Sequence, residues 1–325
     1  MHANRATRTV AATAAVVLLA LVAACGGSGG EASSSGGSST TAPTTATTTT
    51  TTAPARLGTG DGTFTRTTVT YADPTRSTGP TPGRSIPTDV YVPGGRGPFP
   101  LVVQNHGLGG SSAKFTKLLG DWAAAGYLVV APNFPLTNAD LPEDRRDVND
   151  VVNQPADVRF VLDRVLAEDA PGGRLEGKIA ADHMGVSGLS LGGATTYALA
   201  FHSCCREHRF RSAILMSALQ LDFPGAYDWT RRLPVLVFAG TGDRTVHYDA
   251  QQTYISKLPG PTWSVTLDGG QPSAPFEDPP SPHDAVVTAT TLDFWAATLR
   301  DDATARARLA GDATVPGVAS VVVTP

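Results

Sequence analysis

A serine stands between two glycines in the stretch G-L-S-L-G, Gly188 to Gly192. An apolar run precedes it and a helical pattern of small residues follows it, so we expect a sharp strand-to-helix turn with Ser190 at its tip. Such a turn exposes the hydroxyl at the positive end of the helix dipole, and the glycines allow strand and helix to approach closely. We predict that Ser190 is a nucleophile; the alternative is a small residue in a glycine-rich turn.

A serine nucleophile needs a base, and the base needs an orienting carboxylate. Four histidines follow Ser190 along the chain, namely His202, His208, His247 and His283. His202 and His208 lie on or just after the helix that starts at the serine, and His247 leaves too little chain for another strand before it. His283 follows the last predicted strand of the sheet, in a proline-rich loop, and is therefore our candidate base.

The candidate acid is Asp243, in "VLVFAGTGDRTV", because it comes directly after a buried apolar strand. A carboxylate there can hold the imidazole of His283 in one tautomer and stabilise the imidazolium that forms during attack. Two alternatives stay open. Asp268, after the following strand, is a competing acid, and Asp243 also fits a plain turn-forming aspartate.

An ester carbonyl under attack develops negative charge, which backbone amides can stabilise. We expect one donor to be the N–H of Leu191, the residue after the nucleophile, and the other to be the N–H of Leu108 in "VVQNHGLGG". His106 precedes the serine and follows a different strand, so we expect it to fix this loop. The glycines at 107, 109 and 110 let the loop turn its amides inward.

Strands alternate with helices from about residue 62 to 300. We predict strands at 99–105 and 183–188, a helix that starts near Pro155 and a last helix over about 284–299. Two alternating segments before the first buried strand indicate an antiparallel start. The pattern predicts an α/β fold, with a mostly parallel central sheet covered by helices on both faces, in one domain over 58–300. Residues 301–325 either add an edge strand or remain loosely attached.

The first residues have the layout of a lipoprotein signal peptide. Arg5 and Arg8 precede an uncharged apolar run, and small residues stand directly before Cys25. We expect residues 1–24 to be removed, Cys25 to be lipidated and to hold the protein on a membrane surface, and the Gly/Ser/Thr/Pro-rich segment 25–57 to be a flexible tether. The alternative is a secreted protein with an incidental cysteine.

Charge and cysteine content exclude some function classes. A formal net charge of -4 provides no basic surface for nucleic acid. Cys204 and Cys205 are adjacent and stand apart from any metal-ligand spacing, so we expect no metal; they either form a vicinal disulfide or remain buried thiols, and we expect thiols. We expect a monomer that acts on a small ester without a cofactor.

The region after the serine helix brings Phe223, Tyr227 and Trp229 near the predicted site. These aromatic side chains either line an acyl pocket or pack under a loop. A large apolar lid insertion is missing from the sequence, which favours small or soluble esters over long-chain triglycerides.

The residues resemble the α/β-hydrolase superfamily over nearly all of 62–300. The stretches "IPTDVYVPGGRGPFPLVVQNHGLGG" and "WAAAGYLVVAPNFP" resemble secreted esterases grouped with platelet-activating-factor acetylhydrolase and dienelactone-hydrolase-like proteins. The resemblance implies a triad of Ser190, Asp243 and His283, oxyanion donors at Leu108 and Leu191, and no metal or organic cofactor. Serine at 190 differs from the cysteine that dienelactone hydrolases usually carry.

The sequence therefore predicts a serine esterase that works through an acyl-enzyme intermediate. Two other functions remain open. The same triad suits a polyester or cutin hydrolase, a lipase or a peptidase, and the same fold suits a surface lipoprotein that binds a ligand without turning it over.

Overall fold

The computed structural model describes residues 56–325, which form one sheet with helices packed on it. The predicted signal peptide and Cys25 lie outside the described residues. The strands are β1 (Phe64–Asp73), β2 (Arg84–Pro93), β3 (Phe99–Asn105), β4 (Leu128–Pro132), β5 (Ile179–Leu189), β6 (Phe210–Met216), β7 (Val235–Gly240), β8 (Thr262–Leu267) and β9 (Ala319–Thr324). The helices are α1 (Thr116–Ala124), α2 (Gln154–Ala167), α3 (Leu191–Phe201), α4 (Tyr248–Ile255), α5 (Asp284–Leu299) and α6 (Ala303–Asp312).

The sheet order is β1-β2-β4-β3-β5-β6-β7-β8-β9. The six central strands, in the order β4-β3-β5-β6-β7-β8, run parallel to one another. The pairs β1-β2, β2-β4 and β8-β9 are antiparallel. The predicted α/β class with a mostly parallel sheet and an antiparallel start is confirmed. Because β5, β7 and β8 are parallel, the loops that follow them leave the same edge of the sheet.

Alternate residues of the central strands point into two apolar cores. Leu101 and Val103 of β3 pack in the core beneath α2 and α3, whereas Val102 between them packs in the core beneath α1 and α5. The period of two along a strand produces this division, and it explains why β3 is buried along its whole length. Helices therefore cover both faces of the sheet, as predicted.

The C-terminal segment is part of this sheet. Helix α6 packs beside α5, and β9 pairs with β8 from Leu267 to Thr262. Of the two alternatives for residues 301–325, the edge strand is the one that the structure shows. No helix within 56–325 has the length and apolar character needed to cross a lipid bilayer.

The expectation of free thiols after α3 is wrong, because Cys204 and Cys205 are joined by a disulfide bond. Cys205 is buried among apolar side chains that include Leu191 and Phe223, while Cys204 is exposed. The absence of metal-ligand spacing, on which the expectation rested, argues against a metal but does not exclude a bond between two adjacent cysteines.

Candidate active site

The turn at Ser190 joins β5 directly to α3. Ser190 has a φ of 52°, and positive φ at a residue other than glycine costs about 1–3 kcal/mol. Its N–H donates to the Met216 carbonyl at the end of β6 (2.9 Å), and its carbonyl accepts from the N–H of Ala194 (3.1 Å). The side chain is partly exposed, and its hydroxyl makes no hydrogen bond within residues 56–325. The surrounding backbone therefore presents this hydroxyl at the sheet edge.

Glycines let the turn sit close to its neighbours. A Cβ at Gly192 would overlap the Asn105 carbonyl oxygen at the end of β3, and a Cβ at Gly188 would overlap the Gly192 carbonyl oxygen. A Cβ at Gly107 would lie 3.3 Å from the Cβ of Ser190. The predicted close packing at Gly188 and Gly192 is confirmed, and the loop formed by residues 106–110 lies directly against the serine.

His106 holds the 106–110 loop in place from a buried position, with 1% of its surface exposed. Its Nε2 accepts from the N–H of Phe134 (3.0 Å), so Nδ1 carries the proton and donates to the Gly107 carbonyl (2.7 Å). Burial lowers the pKa of His106 to about 4, so the ring is neutral near pH 7. The prediction that His106 fixes the loop is confirmed.

The two amides expected to serve as oxyanion donors are uncommitted. The Gly109 N–H is used, since it donates to the Thr137 carbonyl (2.7 Å). In contrast, neither the Leu108 N–H nor the Leu191 N–H donates to a protein acceptor within 56–325. Leu108 is next to Gly107, and Leu191 is next to Ser190. Both amides remain available to an oxygen that becomes negatively charged beside the serine.

Asp243 lies three residues beyond β7 and is 4% exposed. One carboxylate oxygen accepts from the N–H groups of Thr245 and Val246 (2.8 Å each), and the other accepts from Nε2 of Gln251 on α4 (3.2 Å). These donors fix the carboxylate and leave its second oxygen with capacity for another donor. Sequence reasoning missed Gln251, because a single glutamine on a short helix carries no pattern.

The competing acid, Asp268, has an exposed side chain. Its carboxylate accepts only a long hydrogen bond, from the Thr241 hydroxyl at 3.5 Å. A carboxylate that orients an imidazole must itself be held in place. The buried and hydrogen-bonded Asp243 meets this requirement better than the exposed Asp268.

His283 is 8% exposed and precedes α5. Its Nε2 lies 2.9 Å from the Asp268 carbonyl oxygen at the end of β8, and because a carbonyl can only accept, Nε2 carries the proton. Within residues 56–325, no hydrogen bond joins His283 to Asp243 or to Ser190. The structure therefore brings all three predicted residues to one sheet edge without linking them into a hydrogen-bonded triad.

The ring of His283 lines an open cleft of about 280 Å³ with Gln271, Ala274 and Pro282. The side-chain nitrogen of Gln271 also packs against Gly242, the residue before Asp243, where a Cβ would lie 2.7 Å from it. The cleft thus borders the loop that carries the candidate acid.

The aromatic residues after α3 divide between two environments. Tyr227 and Trp229 stack on each other with ring centroids 5.0 Å apart, and Trp229 packs against Phe201 (5.5 Å). Phe223 instead joins a small apolar cluster with Leu191. The stacked pair Tyr227 and Trp229 therefore packs against α3, and of the three aromatic residues only Phe223 lies beside the residue that follows the nucleophile.

The remaining candidate histidines have ordinary environments. His202 is buried against Tyr227 and Phe223 (4.6 and 5.7 Å between ring centroids), and burial lowers its pKa. His208 and His247 are exposed. His202, Cys204 and Cys205 are the one group within 56–325 whose potential ligand atoms all lie within 4.8 Å of one another; the disulfide bond removes the thiolates that a metal would require.

The chain resembles proteins of a known family. A family model described as Chlorophyllase matches residues 58–220, which is about half of the chain. The matched segment runs from just before β1 to just after β6, so it includes the 106–110 loop and Ser190 but ends before Asp243 and His283. A search of curated proteins found no match.

Proposed function

Since the chain belongs to the chlorophyllase family and is an α/β-hydrolase-type ester hydrolase, we propose that it cleaves carboxylic esters with Ser190 as nucleophile. The observation that carries this proposal is the strained turn at Ser190, with a φ of 52°. Its hydroxyl and the two neighbouring amides have no hydrogen-bond partner among residues 56–325. Strain of this kind persists where the surrounding structure enforces it, and it is concentrated at functional sites.

In the proposed reaction, Oγ of Ser190 attacks the ester carbonyl carbon while Nε2 of His283 takes the hydroxyl proton. The Leu108 and Leu191 amides stabilise the oxyanion, and the alcohol leaves with the proton from His283. Water then attacks the acyl-enzyme with the same imidazole as base, which releases the acid and restores the serine. Asp243 orients the ring through Nδ1 throughout.

This mechanism requires His283 to leave the Asp268 carbonyl. Nε2 now donates to that carbonyl (2.9 Å), whereas a base for Ser190 needs Nε2 without its proton and Nδ1–H directed at Asp243. We propose that substrate binding accompanies rotation of the ring and exchange of its tautomer. The cost is one neutral hydrogen bond, about 1 kcal/mol, which is small beside the barrier reduction that an esterase achieves.

The test is hydrolysis of 4-nitrophenyl acetate, butyrate and palmitate by residues 58–325. Ser190→Ala is expected to abolish turnover, and Ser187→Ala, which replaces a buried serine three residues earlier on β5, serves as the matched control. Asp243→Asn should reduce kcat far more than Asp268→Asn. Turnover that survives Ser190→Ala would reject the mechanism, and equal losses in the two aspartate variants would reject Asp243 as the acid.

A second candidate function is ligand binding without turnover. The hydrogen bond between His283 and the Asp268 carbonyl favours it, because the base is engaged away from the serine. A folded wild-type protein that hydrolyses none of the three esters, yet still binds an ester analogue, is the outcome that supports this candidate over the esterase.

We also propose that the protein is held at a membrane surface through a lipid on Cys25, with a secreted form as the alternative. The layout of residues 1–25 supports this proposal. Labelling of expressing cells with an alkyne fatty acid is expected to tag the wild type and not Cys25→Ser. Equal labelling of the two would contradict it.

A further inference from the structure

An arginine is fixed against the 106–110 loop. Arg146 is half-buried, its Nε donates to the Leu141 carbonyl (3.1 Å), and its Nη1 would lie 2.7 Å from a Cβ placed on Gly109. Gly109 has a φ of 68°, so its backbone conformation favours glycine, and the missing side chain lets the guanidinium lie over it. The sequence thus leaves space for a guanidinium one residue away from Leu108.

Within the described residues, no carboxylate neutralises this guanidinium. Among the ion pairs of residues 56–325, none includes Arg146. Its Nη1 and Nη2 donate to no protein acceptor in that range either. Asp150 is paired with Arg84 instead. The other carboxylates nearby in sequence are exposed and lie farther than 4 Å from the guanidinium; they are Asp140, Glu143, Asp144 and Asp147.

The position of Arg146 relates it to the serine. A Cβ placed on Gly107 would lie 3.3 Å from the Cβ of Ser190, and one placed on Gly109 would lie 2.7 Å from Nη1 of Arg146. One residue, Leu108, separates these glycines along the chain, so the guanidinium and the Ser190 hydroxyl are on the order of 10 Å apart, given 3.8 Å between successive Cα atoms. A substrate carbonyl at the serine would therefore place a group some four to six bonds away within reach of Arg146.

We infer that Arg146 binds a carboxylate of the substrate, so that the enzyme prefers half-esters of dicarboxylic acids to neutral esters. The inference rests on the proposed function, because it places the scissile carbonyl at Ser190. A guanidinium offers paired N–H donors that match the two oxygens of a carboxylate, and the terminal nitrogens of Arg146, which meet no acceptor within 56–325, have both donors to give. The exposed acidic residues of the loop are screened by solvent and oppose this contact weakly.

The test compares mono-4-nitrophenyl adipate with the same compound whose free carboxylate is capped as the N-methylamide. Wild type is expected to prefer the anionic ester in kcat/KM. Arg146→Gln should lower that preference about 10-fold or more, mainly through KM, as expected for loss of a charge-assisted hydrogen bond. Arg145→Gln removes the adjacent exposed arginine and is the matched control; it should change the preference less than about 2-fold. An unchanged preference in Arg146→Gln overturns the inference.

Failure of the proposed function is recognised separately, as absence of Ser190-dependent hydrolysis of the neutral amide-capped ester. Binding decides the inference in that case. With Ser190→Ala protein, calorimetry of the adipate monoester should give a Kd that rises about 10-fold on adding Arg146→Gln and is unaffected by Arg145→Gln. Equal Kd values for Ser190→Ala/Arg146→Gln and Ser190→Ala/Arg145→Gln would overturn the carboxylate site, even where hydrolysis cannot be measured.

Discussion

Acidification is expected to destabilise the protein through His106. Burial lowers the pKa of this histidine from 6.5 to about 4, so the unfolded chain binds a proton in the interval between those values while the folded chain does not. Stability is therefore complete above about pH 6.5 and falls as the pH decreases toward about 4. Between about pH 7 and pH 4.5 the difference removes about 2.5 kcal/mol from the free energy of unfolding.

Urea unfolding of residues 58–325 at these two pH values measures the effect. His106→Gln keeps an acceptor within reach of the Phe134 N–H and removes the titrating ring, so its loss of stability on acidification should be about 2.5 kcal/mol smaller than that of wild type. His208→Gln, which replaces an exposed histidine, is the control and should behave like wild type. If wild type and His106→Gln lose the same free energy, His106 is not held neutral by burial and the reasoning is refuted.

Three further substitutions probe the site and its support. Gly192→Ala should prevent normal packing of the turn and lower esterase activity more than 100-fold, which kinetics with 4-nitrophenyl butyrate can check; activity within about 10-fold of wild type would contradict the close contact. Gln251→Leu removes a hydrogen bond to the Asp243 carboxylate, and kcat/KM should fall about 10-fold or more while the fold, checked by circular dichroism, is retained. Arg84→Met leaves the buried carboxylate of Asp157 without its main partner, so urea unfolding should show a loss of about 3–5 kcal/mol, and a loss under 1 kcal/mol would show that the pair is not essential.

The strands differ in how clearly the sequence shows them. The apolar run at 99–105 predicts β3 with its observed bounds, because both faces of that strand are buried. The prediction at 183–188 is too short, since β5 begins at Ile179. Ala181 and Asp182 are exposed, so the first half of β5 lacks the hydrophobic pattern from which a strand is predicted.

In the candidate site, positions after strands can be predicted from the sequence, whereas contacts between distant loops cannot. The sequence predicts Ser190, Asp243 and His283 as candidates because they follow β5, β7 and β8, and the loops after parallel strands leave one edge of the sheet. The contact between His283 and the Asp268 carbonyl depends on the path of a proline-rich loop, which no periodic pattern encodes. The contact of Arg146 with Gly109 likewise joins two loops that are far apart in sequence.

The central claim is that Ser190 is the nucleophile of an ester hydrolase. A fluorophosphonate probe reports this directly, because it forms a covalent adduct only with an activated serine. Mass spectrometry of the labelled, digested protein should locate one adduct on Ser190, with labelling lost in Ser190→Ala, strongly slowed in His283→Ala and retained in Ser187→Ala. A folded protein that takes no label, or an adduct on a different serine, would contradict the account.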